Sequence, residues 1–242
     1  DLSSGTKDFL PKEAEFLKMD IRDEKLTDIF KERHFDIIYR EAAQTMVPAS
    51  IDNPYLDADI NISGMLRVLE AARKTDVQKI IFSSSAAVYG DNPALPLTEN
   101  LIPAPSSFYG LTKWMTEKYL ALYHKIYELS YTVLRYSNVY GPRQGADGEG
   151  GVIYIFAKSL AENKPITIFG DGRQTRDFIS VHDVVSANLA ALHQADGEII
   201  NISTETELSL NDLAAEMIAA AGRSADLLRY GPSRTGDIYR SC

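Results

Sequence analysis

Apolar positions recur along the chain in two rhythms, and the alternation between them predicts the fold. Ala14-Glu-Phe-Leu-Lys-Met19 alternates apolar and polar like a half-buried strand and ends at Asp20-Ile21. Residues 23–33 have the polar spacing of a surface helix, and Phe35-Asp-Ile-Ile-Tyr39 is an apolar run of buried-strand length. From Asp57 to Lys74, Ile60, Met65, Leu66, Val68 and Leu69 recur at helical spacing and predict a long amphipathic helix. Val77 to Phe82 reads as another buried strand. Ser106 or Ser107 can cap a helix that runs to about Leu129, and Tyr131-Thr-Val-Leu-Arg-Tyr136 is again a strand. No hairpin signal such as Asn-Gly separates these elements. Strand and helix in alternation predict right-handed crossovers and a parallel sheet covered by helices on both faces, a doubly wound α/β fold.

Beyond Tyr140 the texture changes. Gly141-Pro-Arg-Gln-Gly145 through Gly150-Gly151 is turn-rich. Ile153 to Ala161 reads as a helix, Thr167 to Phe169 and Phe178 to Ser180 as short strands, and His182 to Ala190 as a helix. Glu198 to Ile202 reads as a strand, and Ser209 to Ala221 as a helix capped by Ser209 or Asn211. A boundary is expected near residue 141. It divides a domain at 1–140 from a smaller one at 141–242 that packs across the sheet's carboxyl edge.

Composition narrows the class. Across 242 residues, 45% apolar and 24% charged side chains suit a soluble globular protein with a sizeable core. A net charge of −9 argues against nucleic acid or an anionic membrane as partner, while leaving room for an anionic small ligand in a locally positive pocket. The single cysteine, Cys242, excludes an internal disulfide and suits a reducing cytoplasm. No apolar run approaches membrane-spanning length, no signal peptide is visible, and no metal site is expected.

The chemistry-bearing pattern is Tyr109-Gly-Leu-Thr-Lys113 downstream of Phe82-Ser-Ser-Ser-Ala-Ala-Val-Tyr-Gly90. Tyrosine four residues before lysine puts both side chains on one helical face, where an ammonium can stabilise a phenolate near neutral pH. Tyr-x-x-x-Lys alone occurs by chance on many surface helices. The strand ending in Ser83-Ser84-Ser85 gives it meaning by supplying a hydroxyl opposite the phenol. Ser83 and Ser84 read as strand-end hydroxyls bonded to backbone. Tyr119, Tyr123 and Tyr127 have the helical spacing of a core or a subunit interface, and His182 reads as structural at a helix start.

These segments, with Ala42-Ala43-Gln44, Asn61-Ile-Ser-Gly-Met65, Arg135-Tyr-Ser-Asn-Val-Tyr-Gly-Pro-Arg143 and Gly170-Asp-Gly-Arg-Gln-Thr-Arg-Asp-Phe-Ile179, resemble the extended short-chain dehydrogenase/reductase family, specifically its nucleotide-sugar epimerases and dehydratases. The resemblance covers essentially the whole chain. It implies a Rossmann-type domain that binds NAD, a smaller carboxyl-terminal domain that binds a nucleoside-diphosphate sugar, and a homodimer through helices 57–75 and 107–129. The likeness is greatest to the 4-epimerases that act on UDP-glucose and UDP-galactose. The 4,6-dehydratases carry an acidic pair where Ala86 and Ala87 stand here, and neither alanine can serve as acid or base.

By resemblance, Tyr109 takes the proton of the sugar's 4-hydroxyl while C4 passes hydride to NAD, Lys113 lowers the phenol's pKa and holds the nicotinamide ribose, and Ser85 bonds the same sugar oxygen. The 4-keto sugar then turns over and hydride returns to its other face. The implied cofactor contacts are Asp1, Asp20, Ile21, Ala42, Ala43, Asn61, Ser83, Tyr109, Lys113 and Tyr136. The implied substrate contacts are Ser85, Tyr109, Asn138, Arg176, Arg234 and Ser241. Asn138 serves equally well as a turn cap, and the two arginines as solvated charges or as bidentate phosphate partners. A small residue at 241 would admit an N-acetylated sugar.

Two departures stand out. The family opens on a strand, a Gly-x-x-Gly-x-x-Gly turn and a helix, and no such motif exists in this chain. Asp1-Leu-Ser-Ser-Gly5 matches the segment after the second strand, so the resemblance implies that the first βαβ unit is missing and both domains are truncated. The second departure is Arg40, where relatives carry histidine. It either faces the cofactor phosphates or marks relaxed constraint. Three readings stay open: an NAD-dependent epimerase, a non-catalytic remnant that binds only the sugar nucleotide, and a decarboxylase or reductase that uses the same Tyr/Lys pair.

Overall fold

The computed structural model describes residues 1–145, 150–233 and 238–242. In chain order α1 spans Leu26–Arg33, β1 Ile37–Arg40, α2 Val47–Asp52, α3 Pro54–Ala58, α4 Gly64–Arg73, β2 Lys79–Ser85, α5 Phe108–Tyr127 and β3 Ser130–Tyr136. There follow β4 at Asn138–Tyr140, α6 at Val152–Ala161, β5 at Ile166–Phe169, β6 at Thr175–Arg176, β7 at Phe178–Ser180, α7 at Val181–Ala190, β8 at Glu198–Ile202, β9 at Leu208–Ser209, α8 at Leu210–Ala220 and β10 at Leu228–Gly231.

Four parallel strands in the order β1-β2-β3-β8 make the main sheet. Alternate residues of β2 and β3 face opposite ways. Ile80, Phe82 and Val133 pack with Phe30 of α1, Met65 and Leu69 of α4 and Leu120 of α5. Ile81 and Leu134 pack on the other side with Ala191, Leu192 and Ile200. Burial on both faces explains why these strands read as continuous apolar runs. A second cluster, Phe156, Leu160, Ile166, Ile168, Ala214 and Ile218, joins α6, β5 and α8, and β10 pairs with β5.

One expectation is corrected. Ala14–Met19 is not a strand but irregular and largely exposed chain. Its alternation has no ladder partner among the described residues, and a strand needs a neighbour's backbone groups more than a pattern. Past residue 141 the chain returns to the main sheet once, where β8 pairs with β3 through Thr132–Tyr136.

Local signals place the site-bearing elements. Ser107 caps α5, accepting from the Gly110 N–H at 3.1 Å, and Glu128 ends that helix in the left-handed region. Ser209, not Asn211, caps α8. The expected helix over 57–74 starts earlier, at Pro54, and passes through a π-helical turn at Asp59–Ser63. Gly110 sets a close approach. A Cβ there would sit 2.4 Å from the Ala87 carbonyl oxygen, so only glycine lets the first turn of α5 lie against the turn at Ala86–Tyr89. No helix among the described residues is long and apolar enough to cross a membrane.

A buried ion pair joins α5 to the sheet. Arg135 donates to both Glu117 oxygens, at 3.0 and 2.6 Å, with side chains 3% and 1% exposed. Ser84 donates to Glu117 Oε1 at 2.6 Å, and Arg135 Nη1 to the Tyr89 hydroxyl at 2.8 Å. Glu117→Leu alone should cost about 3–5 kcal/mol in urea unfolding, because Arg135 is left charged in the core. Glu117→Leu with Arg135→Met should recover most of that loss, and a single-variant cost below about 1 kcal/mol would show that the pair is relaxed by solvent.

Candidate active site

The carboxyl end of β2, the turn that follows it and the first two turns of α5 converge. Ser85 Oγ accepts from the Ala87 N–H at 3.2 Å, and its hydroxyl works against the rise that burial imposes on the Tyr109 phenol. One turn along, Lys113 is 4% exposed; its Nζ donates to the Ser83 carbonyl at 2.6 Å and lies 5.7 Å from the Tyr109 ring centroid. The three residues expected to carry the chemistry are thus assembled.

Burial pushes the Tyr109 phenol up from its ordinary value, the Ser85 hydroxyl opposes the rise, and the Asp57 charge adds to it. Burial pulls the Lys113 amine down to about 7, with the Arg40 charge the next cause. Burial thus works against the charged form of both groups. Low dielectric penalises both charged forms, and only a positive charge that persists at the moment of proton loss helps the phenol.

Behind the pair, a buried polar cluster fixes the loop at residues 42–44. Asn61 accepts from the Gln44 N–H at 3.0 Å and donates to the Gln44 carbonyl at 3.0 Å, with Asp57 and Thr112 hydrogen-bonding it. Thr112 donates to Asp57 at 3.0 Å. Asn61, expected at the cofactor, spends its amide holding that loop to α5. Ser83 and Ser84, expected on backbone partners, bond side chains instead: Ser83 the Tyr136 hydroxyl at 3.0 Å, and Ser84 Glu117. Asn188 donates to the same Tyr136 hydroxyl at 2.7 Å.

Ser85, Ala86, Ala87, Tyr109 and Tyr136 open onto a cavity of about 650 Å³, whose other wall includes Asn138, Arg176, Phe178 and Ser241. Asp177, beside Arg176, is buried and accepts from the Thr204 N–H at 3.0 Å, the Thr204 hydroxyl at 2.8 Å and the Glu205 N–H at 2.9 Å. Its own carbonyl accepts from the Asn138 N–H at 2.9 Å and side chain at 3.1 Å. Asn138 is thus both a tethered turn residue and part of the cavity wall. The carboxyl-terminal segment is pinned by Leu97 N–H to the Cys242 carbonyl at 2.8 Å and by Thr175 N–H to the Tyr239 carbonyl at 2.9 Å, which sets Ser241 at the rim.

Other expected residues are not brought to this cavity. Asp1 is exposed and bonds Ser3. Asp20 is clamped by Arg22, which pulls its carboxyl down to about 2, and Arg22 also reaches Asp59 at 2.7 Å. Ile21 packs against Gly64, Ala42 is exposed, and Ala43 is half-buried. Arg234 lies outside the described residues. His182 is exposed at the start of α7.

The donor set around Lys113 nevertheless fits the nicotinamide-ribose half of a dinucleotide. A phenol, a primary amine and the Ser83/Tyr136 hydroxyl pair surround one strand end, and small alanines follow β1. The buried Arg40 adds guanidinium nitrogens Nε and Nη1 with no hydrogen-bond partner.

Glu117, Arg135, Asp57, Thr112 and Asp177 were not singled out from the sequence. Glu117 alone had a local signal, four residues past Lys113 on the same helical face.

The profile of the NAD dependent epimerase/dehydratase family matches residues 2–203. A putative UDP-glucose 4-epimerase of Methanocaldococcus jannaschii is 43% identical over 241 residues, 99% of this chain and 78% of that protein. The crystal structure of UDP-glucose 4-epimerase with UDP-glucose from Thermotoga maritima superposes with a TM-score of 0.96 at 41% identity, covering 99% of this chain and 78% of the other. UDP-glucose 4-epimerase of Thermus thermophilus, in complex with NAD, gives a TM-score of 0.92 at 35% identity over 99% and 79% of the two chains.

Removing the Asp177 charge tests the far wall. Asp177→Asn should destabilise the chain by at least about 2 kcal/mol, since bonds to a charged acceptor contribute about 1.5–3 kcal/mol each. It should also speed amide hydrogen exchange at Thr204 and Glu205. Unchanged exchange at both would show that the carboxylate does not hold that loop.

Proposed function

The chain belongs to the NAD-dependent epimerase/dehydratase family, and from that membership we propose that it interconverts UDP-glucose and UDP-galactose by reversible oxidation at C4 of the sugar. The family is one of nucleotide-sugar enzymes, and its chemistry is NAD-dependent. The observation that carries the finer reading is that Ser85 and Tyr109 line one cavity, with buried Lys113 one turn along from Tyr109, and that the described lining contains no carboxylate. Ala86 and Ala87 line it where an eliminating enzyme needs an acid and a base. The lining's single described cation is Arg176, on the wall with Asn138 and Phe178. A uronate would need a further cation beside the sugar, so a neutral hexose is the better fit.

Bound NAD would supply the hydride-accepting and hydride-donating chemistry at C4. Lys113, Tyr109, Ser83 and Tyr136 would hold its nicotinamide-ribose half, with Ala42 and Ala43 leaving it room. Tyr109 Oη takes the proton of the 4-hydroxyl and later gives it back. Lys113 supplies positive charge within 5.7 Å of the ring as the phenolate forms. Ser85 keeps the sugar oxygen beside Tyr109. Arg176 pairs with the diphosphate and Asn138 bonds the nucleotide, which leaves the hexose loosely held and free to turn. Ser241, small and at the rim, leaves space for an N-acetyl group. Exposed Leu111, Met115, Leu122 and Ile126 on α5, with Tyr55 on α3, support a homodimer through these helices.

Tyr109→Phe should lower conversion of UDP-galactose to UDP-glucose by about 10²–10⁴-fold, the usual contribution of a positioned acid–base. UDP binding by calorimetry should stay within about threefold, because one hydroxyl bond is removed from the sugar alone. Denaturing the purified protein should release NAD. UDP-N-acetylglucosamine should be turned over and UDP-glucuronate should not. A decarboxylated or stable keto product would overturn the epimerase reading, and equal loss of turnover and UDP binding would make Tyr109 structural.

A further inference from the structure

We propose that Arg40 is a second buried cation of the Tyr109/Lys113 site, placed to set the protonation of the Lys113 amine and hence the pH window of the pair. The inference rests on the reading of that pair as the proton-transfer centre.

Arg40 ends β1 and is 3% exposed. Ile38, two residues before it, packs into the core beneath α4 and α5, so Arg40 projects to that same side. Its Cα partner in β2 is Phe82. The Lys113 ammonium lies 5.0 Å from the Phe82 ring centroid and donates to the next carbonyl, that of Ser83. Phe82 thus links the two cations: its backbone is the ladder neighbour of Arg40 and its ring lies beneath the Lys113 ammonium.

A structural arginine in this core looks different. Arg135 places three of its nitrogens on Glu117 and Tyr89. Arg40 makes one long bond, Nη2 to the Ile60 carbonyl at 3.3 Å, while Nε and Nη1 are buried without partners. Among the described residues no carboxylate forms a salt bridge with it. An unneutralised charge in low dielectric acts on its neighbours over several ångströms.

The charged groups that act on Lys113 are Arg40 at the end of β1, Glu41 just after it, Asp57 on α3 and Glu117 on α5, with Tyr109 one turn before it. The three carboxylates raise the amine's affinity for a proton; burial and, next, Arg40 lower it to about 7. Burial draws Arg40 itself down only to about 10, so it keeps its charge through the neutral range. The sign follows. Without the Arg40 charge, Lys113 stays protonated to higher pH, and the alkaline limb of activity moves upward.

The test is an NMR titration of the Lys113 ε-methylene, assigned with Lys113→Arg, in the full chain without substrate. The native midpoint should lie near 7. Arg40→Gln should raise it by about one pH unit, as expected for removing a like charge at this spacing in a partly desolvated site. Arg40→Lys should leave it within about 0.3 unit, since the charge is kept. Asp57→Asn should move it down. If Arg40→Gln does not fold, Arg40→Met, neutral at every pH, gives the same comparison. An unmoved midpoint in either neutral variant overturns the proposal. This resonance is read without turnover, so its failure leaves the Tyr109→Phe result intact, and failure of the epimerase reading leaves the titration intact.

Discussion

The Glu117–Arg135 pair is the constraint on which the site depends. Glu117 lies one helical turn past Lys113, and Arg135 stands in β3, otherwise a core strand. Between them they fix α5 to the sheet at one register, because a charge taken out of water tolerates only the geometry that satisfies it. Ser84 joins from β2, Tyr89 from the turn after it, and Tyr89 passes the network to Asn201 in β8 at 2.8 Å. The segment that presents Ser85 is therefore held from its strand side and its turn side. A buried ion pair is weak evidence for net stability, since apolar residues would fill the space as well. What it supplies is placement, and Ser85 must stay within hydrogen-bond reach of Tyr109.

Placement has an electrostatic cost that the site turns to use. Burying Lys113 deeply enough to sit on the Ser83 carbonyl drives its amine toward neutrality, and the same burial opposes ionisation of Tyr109. Neither group is then locked in its charged form at neutral pH. A pair that must gain and lose one proton in each cycle works best when both states are near in energy. Asp57, whose own carboxyl is pushed up by burial, touches this balance through Thr112 and Asn61. The loop after β1, the π-helical turn and α5 are thus one hydrogen-bonded unit.

Much of this was legible in the sequence where the signal was local. The β2 run, the Ser107 cap and the Tyr109/Lys113 spacing each reflect a period or a cap within a few residues, and each is in place. The segment Ala14–Met19 had the same kind of pattern and still failed, because pairing is not a property of the paired segment alone. Polar residues at strand ends were misjudged for a related reason. Ser83 and Ser84 took side-chain partners 53 and 33 residues away, and Thr112 reached Asp57 across 55. Buried polar networks of that span leave no periodic trace. Asp177 was hidden in the same way: the Gln-Thr-Arg-Asp-Phe-Ile run drew attention to Arg176, while its neighbour turned inward to order the loop at Thr204.

The outcome of the reaction rests on what the cavity omits. In the proposed reaction, oxidation at C4 needs one proton acceptor, which Tyr109 would supply with Ser85 beside it and Lys113 one turn along. Any further step, elimination above all, needs another acid or base within reach of the ring. Ala86 and Ala87 occupy the positions nearest Ser85 in sequence, and the described cavity wall carries hydroxyls, amides, aromatic rings and one guanidinium, but no carboxylate. A keto sugar formed there has one proton source to return to, the phenol that took the proton away. For the neutral hexose proposed here, return of hydride to either face of C4 would need no additional group, and Ala86 and Ala87 thereby favour epimerisation over elimination.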